Sequence, residues 1–269
     1  MKHLLGIYRE NEFSPGRHKS NDARLLQLVS DRLRERGCVV DLITIDHLPG
    51  DLSDFAIVFS MCQGRASLET LARHERAGLS IVNRPSAAIH TYRSYLPKYM
   101  AEAGVAFPAT TLVALENGAK AEIDVNGGVW LKRGDVHASV AADVQWIDSA
   151  AGLEAGFAEF ASRGIRTAAV QPHHAGDEVK FYGVGENKFF HWFYSSEPHG
   201  YPFNVRALGE LAARAAAAAG LEIFGGDIIV SPSGELTVID LNDWPSFAPC
   251  IGPASEAIAD FLATRSRDH

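Results

Sequence analysis

Asp227, Asp240 and Asn242, three oxygen-bearing side chains in the last quarter of the sequence, have the types and spacing to hold a hard divalent cation. They sit in or beside two apolar, β-branched runs, Ile223–Val230 and Leu236–Leu241, with the turn sequence Ser231-Pro232-Ser233-Gly234 between them. If the runs pair through that turn, Asp227 near the start of one strand comes close to Asp240 near the end of the other. Asp240 and Asn242 are two apart, so on a strand they share a face. Two carboxylates and an amide oxygen converging among apolar strands suit Mg²⁺. A turn aspartate and a strand-capping Asn242-Asp243 pair account for the same residues equally well, and spacing does not separate the two readings.

The elements that must position this group alternate along the chain. His3–Tyr8, Val39–Ile45, Phe55–Met61 and Ile81–Asn83 are strand-like. Helical stretches lie between them at Asp22–Arg36, closed by Gly37, and around Ser67–Ala77. That punctuation predicts an open parallel α/β sheet over roughly the first 85 residues. Beyond it the expectation is a helix over Tyr92–Ala103 and strands at Thr110–Val113, Gly128–Lys132, Val144–Ile147 and Thr167–Gln171. A helix near Leu153–Ser162 and a hairpin of Val179–Val184 with Lys188–Phe193 across Gly185-Glu186-Asn187 are also expected. The helix Val205–Ala219, closed by Gly220, precedes the Asp227 hairpin, and a last helix covers Ala254–Ala263. The predicted fold is an N-terminal α/β domain (1–90) followed by an α+β domain with antiparallel sheets (91–269).

Further motifs accompany this hairpin. Gly226-Asp227 followed by Asp240-x-Asn242-x-x-Pro245 resembles the terminal metal motif of ATP-grasp enzymes, with Asp where Glu is commoner at position 240. Three other stretches resemble that superfamily in the required order, covering most of the chain from about Asn83 onward. The segment from Asn83 through Tyr92-Arg93 to Pro108 resembles the lead into the ATP domain, with Arg93 where a Lys is usual. Val129-Trp130-Leu131-Lys132 resembles the strand whose Lys reaches the α- and β-phosphates. Gln171-Pro172-His173-His174-Ala175-Gly176-Asp177-Glu178-Val179-Lys180 resembles the hinge and following strand.

The resemblance implies roles. Gln171, Pro172, His173 and His174 would meet adenine, Glu178 or alternatively Asp177 the ribose, and Lys132, Lys180 and Arg93 the phosphates. Two Mg²⁺ would be held by Asp227, Asp240 and Asn242. The loop after Lys132 departs from the Gly-rich pattern: Arg133-Gly134-Asp135-Val136-His137-Ala138-Ser139 keeps one Gly. Arg133 or His137 is therefore expected to contact the transferred phosphate; inositol-polyphosphate kinases place a His in a comparable loop. For the acceptor substrate, loops after the first strands offer Ser14, Arg17 and Arg65, and Arg206 is a further cation.

Composition bounds the function classes. The chain has 269 residues, 46% hydrophobic and 22% charged, with a formal net charge of −8 and no basic block. This argues against a nucleic-acid partner. Three scattered cysteines and an N-terminus lacking an extended apolar stretch predict a cytoplasmic protein with no membrane segment. A homodimer is the default oligomeric expectation. Together with the resemblance, the expected activity is an ATP- and Mg²⁺-dependent ligase. It would activate a small-molecule or peptide carboxylate as an acyl phosphate for attack by an amine. The alternatives are a small-molecule kinase and a non-catalytic nucleotide-binding protein.

Overall fold

The computed structural model describes residues 2–14, 17–116, 122–138, 140–186 and 188–266, without the side chains of residues 17–19. Strands β1 (His3–Ile7), β2 (Val39–Ile43), β3 (Ile57–Ser60) and β4 (Ile81–Val82) form a parallel sheet in the order β2-β1-β3-β4. β3 is buried throughout, as expected for a parallel strand covered on both faces. Helix α1 (Arg17–Glu35) buries Leu25, Leu26, Val29 and Leu33, the apolar face expected from their spacing. Helix α2 (Arg65–Arg76) buries Leu68 and Leu71 in a separate cluster with Val58 and Ile81. The order in which strands join the sheet reverses between β1 and β3, so the loops at their C-terminal ends form a crevice. Glu10 closes one end of it, accepting from the backbone N–H of Gln63 (3.0 Å) and Gly64 (3.1 Å).

Past the parallel sheet, the helix expected over Tyr92–Ala103 is shorter, beginning at Leu96, and a helix that was not expected precedes it. Helix α3 (Pro85–His90) starts at Pro85, and α4 (Leu96–Glu102) starts one residue before Pro97. Proline lacks the N–H that a helix interior requires but is accepted in a first turn, so each proline begins a helix. Thr91 donates its hydroxyl to the Ala88 carbonyl at 2.6 Å where α3 ends. The resulting bend carries Tyr92 and Arg93 in a connection instead of on a helix face.

Two four-stranded antiparallel sheets complete the fold. The first, in the order β5-β8-β6-β7, joins β5 (Thr111–Ala114), β8 (Thr167–Pro172), β6 (Val129–Arg133) and β7 (Val144–Ile147). Helix α5 (Ala150–Ser162) packs on it through Leu153, Phe157 and Phe160. The second, in the order β10-β9-β11-β12, joins β10 (Phe189–Tyr194), β9 (Asp177–Val184), β11 (Ile223–Val230) and β12 (Leu236–Asp243). Against it lies α6 (Val205–Ala219), whose alanine-rich face buries Ala212, Ala215, Ala216 and Ala219. Asn204 caps the start of α6 by accepting from the N–H of Arg206 and Ala207. Gly220, left-handed at φ 81°, ends it. The last helix, α7 (Ile251–Arg265), returns to pack on α1, and Trp244, Phe247 and Ile258 join the core beneath the parallel sheet. The predicted class, parallel α/β followed by antiparallel α+β, is the observed one. Among the described residues no helix is long and apolar enough to cross a membrane.

Candidate active site

β11 runs between β9 and β12, and Asp227 on it faces Lys180 across one side and Asp240 across the other. Lys180 Nζ lies 2.8 Å from Asp227 Oδ1 and 3.3 Å from Glu178 Oε1. Arg93 reaches in from the α3–α4 connection and places Nη2 2.5 Å from Asp240 Oδ2. The two glycines before Asp227 serve close approach. A Cβ on Gly226 would run into the Asp240 carbonyl oxygen and stand 2.6 Å from the Phe181 ring.

The electrostatics of this group are those of buried charges held by counter-charges. Burial pushes the Asp227 carboxyl up to about 6; Lys180 opposes the rise and Asp240 adds to it. Burial also acts on Asp240, but Arg93, Lys132 and His137 together hold its carboxyl below the usual range. Lys132 lies on β6, 6% exposed, with Nζ 3.4 Å from the Ile239 carbonyl. Burial brings its ammonium down to about 8 despite the attraction of Asp240.

These residues wall a cavity of about 400 Å³ between the two antiparallel sheets. Lys132 and Gln171–His174 line it from the first sheet; Glu178, Asp227, Ile229 and Asp240 line it from the second. Gln171 is buried and donates through Nε2 to Thr110 Oγ1 at 2.9 Å. His173 receives the Trp130 indole N–H at 3.3 Å and stands edge-on to Trp146. Burial lowers the pKa of His174. The hinge is shorter than the sequence implies, because Asp177 and Glu178 already belong to β9. Asp177 is engaged elsewhere: its carboxylate accepts the N–H groups of His199 (2.7 Å), Gly200 (2.9 Å) and Tyr201 (3.1 Å). Burial works against that charge, yet these bonds hold the carboxyl down to about 2. Among the described residues, Glu178 is thus the acidic side chain on β9 that pairs in the cavity with Lys180 alone.

A second cavity, of about 620 Å³, opens between this sheet and the loops of the parallel sheet. Lys180, Asp227 and Asn242 form one wall; Arg9, Gln63 and His137 face them. Asp240 borders the first cavity, Asn242 the second, and Asp227 both. Arg9 is pinned between Asp22 (Nε to Oδ2 3.0 Å) and the Trp244 carbonyl, and Ser14 donates to the same Asp22 oxygen at 2.6 Å. Asn83 bonds Asp243 at 2.5 Å and receives the N–H of Glu222 and Ile223. Burial raises the Asp243 carboxyl to about 7.

The remaining sequence candidates lie apart from both cavities or outside the described atoms. Arg133 pairs with Asp135 at 2.6 Å. Arg65 bonds the Tyr95 hydroxyl at 2.9 Å on the surface, and Arg206, 88% exposed, pairs with Glu210 on α6. Ser14 borders a further crevice at the ends of β1 and β2. The Arg17 side chain and Ser139 fall outside the described residues. Arg9 and Asp22 were not singled out by sequence reasoning; Gln63 was offered only as part of the loop after β3, and Asp243 only as a strand cap. The one signal for Arg9 and Gln63 was their place just after β1 and β3, where open α/β sheets bind ligands.

No protein-family profile matches the chain, and no curated protein matches it in sequence. Solved structures do match in three dimensions. A D-alanine–D-alanine ligase from Bacillus anthracis complexed with ATP is similar at TM-score 0.73 and 11% identity, over 100% of this chain and 98% of that one. The VanG D-Ala:D-Ser ligase from Enterococcus faecalis is similar at TM-score 0.75 and 15% identity, over 98% and 99%. A RimK domain ATP-grasp protein from Sphaerobacter thermophilus is similar at TM-score 0.69 and 18% identity, over 97% and 99%. At these identities the likeness establishes the fold, and the fold is ATP-grasp.

Proposed function

We propose that the protein is an ATP- and Mg²⁺-dependent ligase that joins a small-molecule or peptide carboxylate to an amine. The observation that carries this reading is the position of Asp227, which walls both the cavity between the antiparallel sheets and the one facing the parallel sheet. A group leaving a molecule bound in the first cavity for one bound in the second would pass this side chain.

The donor set fits Mg²⁺. Asp227 and Asp240 are part-buried carboxylates on adjacent strands, Asn242 adds an amide oxygen, and all are hard ligands. Among the described residues no cluster of three His, Cys, Asp or Glu is arranged around a metal, so the third protein ligand would be Asn242. Bound there, the ion supplies charge neutralisation along a phosphoryl-transfer path. The chain's own residues do the positioning. Gln171–His174 border the adenine end, Glu178 suits a ribose hydroxyl, and Lys132, Lys180 and Arg93 supply fixed positive charge for the phosphates. The carboxylate substrate takes the γ-phosphoryl group, and the resulting acyl phosphate is open to an amine. No protein nucleophile is needed.

A kinase acting on a polyphosphorylated acceptor is less well supported. Of the cations in the second cavity, Arg9 already pairs with Asp22 and Lys180 with Asp227. The deciding experiment incubates the protein with Mg·ATP and pools of carboxylates and amines. A ligase releases ADP and inorganic phosphate only when both co-substrates are present. ADP with a stable phosphorylated product would instead indicate a kinase, and nucleotide binding without turnover a sensor.

A further inference from the structure

His137 lies in the loop after β6, buried, with its ring on the wall of the second cavity. Its Nε2 is 2.7 Å from Thr91 Oγ1. A hydroxyl has one proton to donate, and that of Thr91 goes to the Ala88 carbonyl at 2.6 Å, an atom that can only accept. The Thr91–His137 bond therefore needs its hydrogen from the imidazole. That fixes the neutral ring in the Nε2–H tautomer and leaves a lone pair on Nδ1. Nδ1 has no partner among the described residues, and it is the ring nitrogen left to meet a ligand.

The surroundings keep that lone pair free. Burial brings the imidazole down to about 4; Asp240 pulls the other way, and Arg93 and Arg9 oppose protonation. Tyr92 presents its ring edge-on at 6.0 Å, and its hydroxyl is committed to the Gln63 carbonyl. A neutral imidazole whose single N–H is already in use cannot donate to a phosphate. It can accept.

We propose that His137 is the proton acceptor for the amine that attacks in the second cavity, a role that rests on the ligase reading and specifies its second half-reaction. The amine reaches the site after losing one proton to solvent. Its lone pair forms the C–N bond to the acyl carbon, and the C–O bond to phosphate breaks, phosphate leaving with the electron pair. The surplus proton on nitrogen, acidified as the bond forms, passes to His137 Nδ1 and then to water. The co-substrate is thus a primary or secondary amine, with an N–H for Nδ1 to receive.

The tautomer can be read without any substrate. Long-range ¹H–¹⁵N correlation of protein carrying ¹⁵N-histidine is expected to show His137 as the Nε2–H form at neutral pH, and Thr91→Val is expected to release that preference. An Nδ1–H or doubly protonated ring would overturn the proposal. Once a carboxylate substrate is found by phosphate release, hydroxylamine serves as a nucleophile that needs little base assistance. In His137→Gln, the ratio of amide to hydroxamate product should fall about 100-fold, within the usual range for a lost general base. An unchanged ratio, with both products reduced alike, would place His137 in phosphoryl transfer and overturn the proposal while leaving the ligase reading intact. Wild-type protein that makes neither product would sink the ligase reading itself.

Discussion

Arg93 and Asp240 meet as a largely buried ion pair although 147 residues separate them, the guanidinium arriving from the bend between two short helices and the carboxylate from the last strand. Arg93 lies in the connection between two helices that begin at Pro85 and just before Pro97. Removing the guanidinium leaves Asp240 with Lys132 as a counter-charge and the Asp227 carboxylate directly across from it. Arg93→Ala should lower stability by about 3–5 kcal/mol, the usual cost of orphaning one member of a buried pair. Arg93→Lys should recover part of that loss, with less directional bonding. Urea unfolding of the three proteins measures both.

Asp240→Asn combined with Asn242→Ala removes one carboxylate and the amide oxygen while Asp227 stays. Loss of several kcal/mol of charge stabilisation corresponds to at least about a 100-fold drop in Mg·ATP turnover. Coupled detection of ADP release is the measurement, and full activity in the double variant would be incompatible with the metal site described.

Lys132 should give nucleotide binding an alkaline limb. Its ammonium titrates near 8 because burial disfavours the charge. The charged form is the one that attracts phosphate, so ATP affinity should weaken as pH rises through that value. Bound phosphate favours the charge and would move the limb upward in the complex. Lys132→Arg, which stays protonated, should lose the limb even if its affinity at neutral pH is lower. The ATP concentration giving half-maximal binding, followed from pH 7 to 10 (about one unit below to two above the midpoint), tests this.

Asp177 makes an acid prediction of opposite sense. Its carboxyl is held down to about 2 by the N–H groups of residues 199–201. A depressed carboxylate contributes stability above its ordinary value of about 4. That contribution fades as pH falls toward the folded value. Asp177→Asn should flatten the pH dependence of unfolding across this window and loosen the segment that borders the first cavity. Hydrogen exchange at His199, Gly200 and Tyr201 reports the loosening directly.

The parts of this molecule that sequence exposes are those written in local pattern. The pairing of Asp227 with Asp240 follows from the Pro232–Gly234 turn and two apolar runs, and the strands appear with it. The position of Lys132 on β6 and the alanine face of α6 are likewise local. Arg9 and Asp22 escaped notice, and Asp243 passed for a strand cap, because each is an ordinary polar residue near an element end whose meaning comes from its partners. Asp22 meets Arg9 across the crevice of the parallel sheet, and Asp243 meets Asn83 160 residues away. The single helix expected over Tyr92–Ala103 failed for a different reason. Apolar spacing runs through that segment, but Pro97 dictates where a helix starts.

The sheet of β5–β8 has a core of its own, built from Val113, Leu131, Phe157, Phe160 and Val170, separate from the cores beneath the other sheets. β12 belongs to the opposite arrangement: Trp244, just beyond it, is buried with α1, α7 and β3 and donates its indole N–H to Val82. The loop after β6 crosses that divide: Val136 is buried with Leu5, Ile7 and Tyr92, and His137 lines the second cavity, so the wall bearing Lys132 and Gln171 is tied to the parallel sheet at this one loop. Any displacement of that wall carries His137 with it, so the seat of the nucleotide and one side of the seat of the second substrate move together.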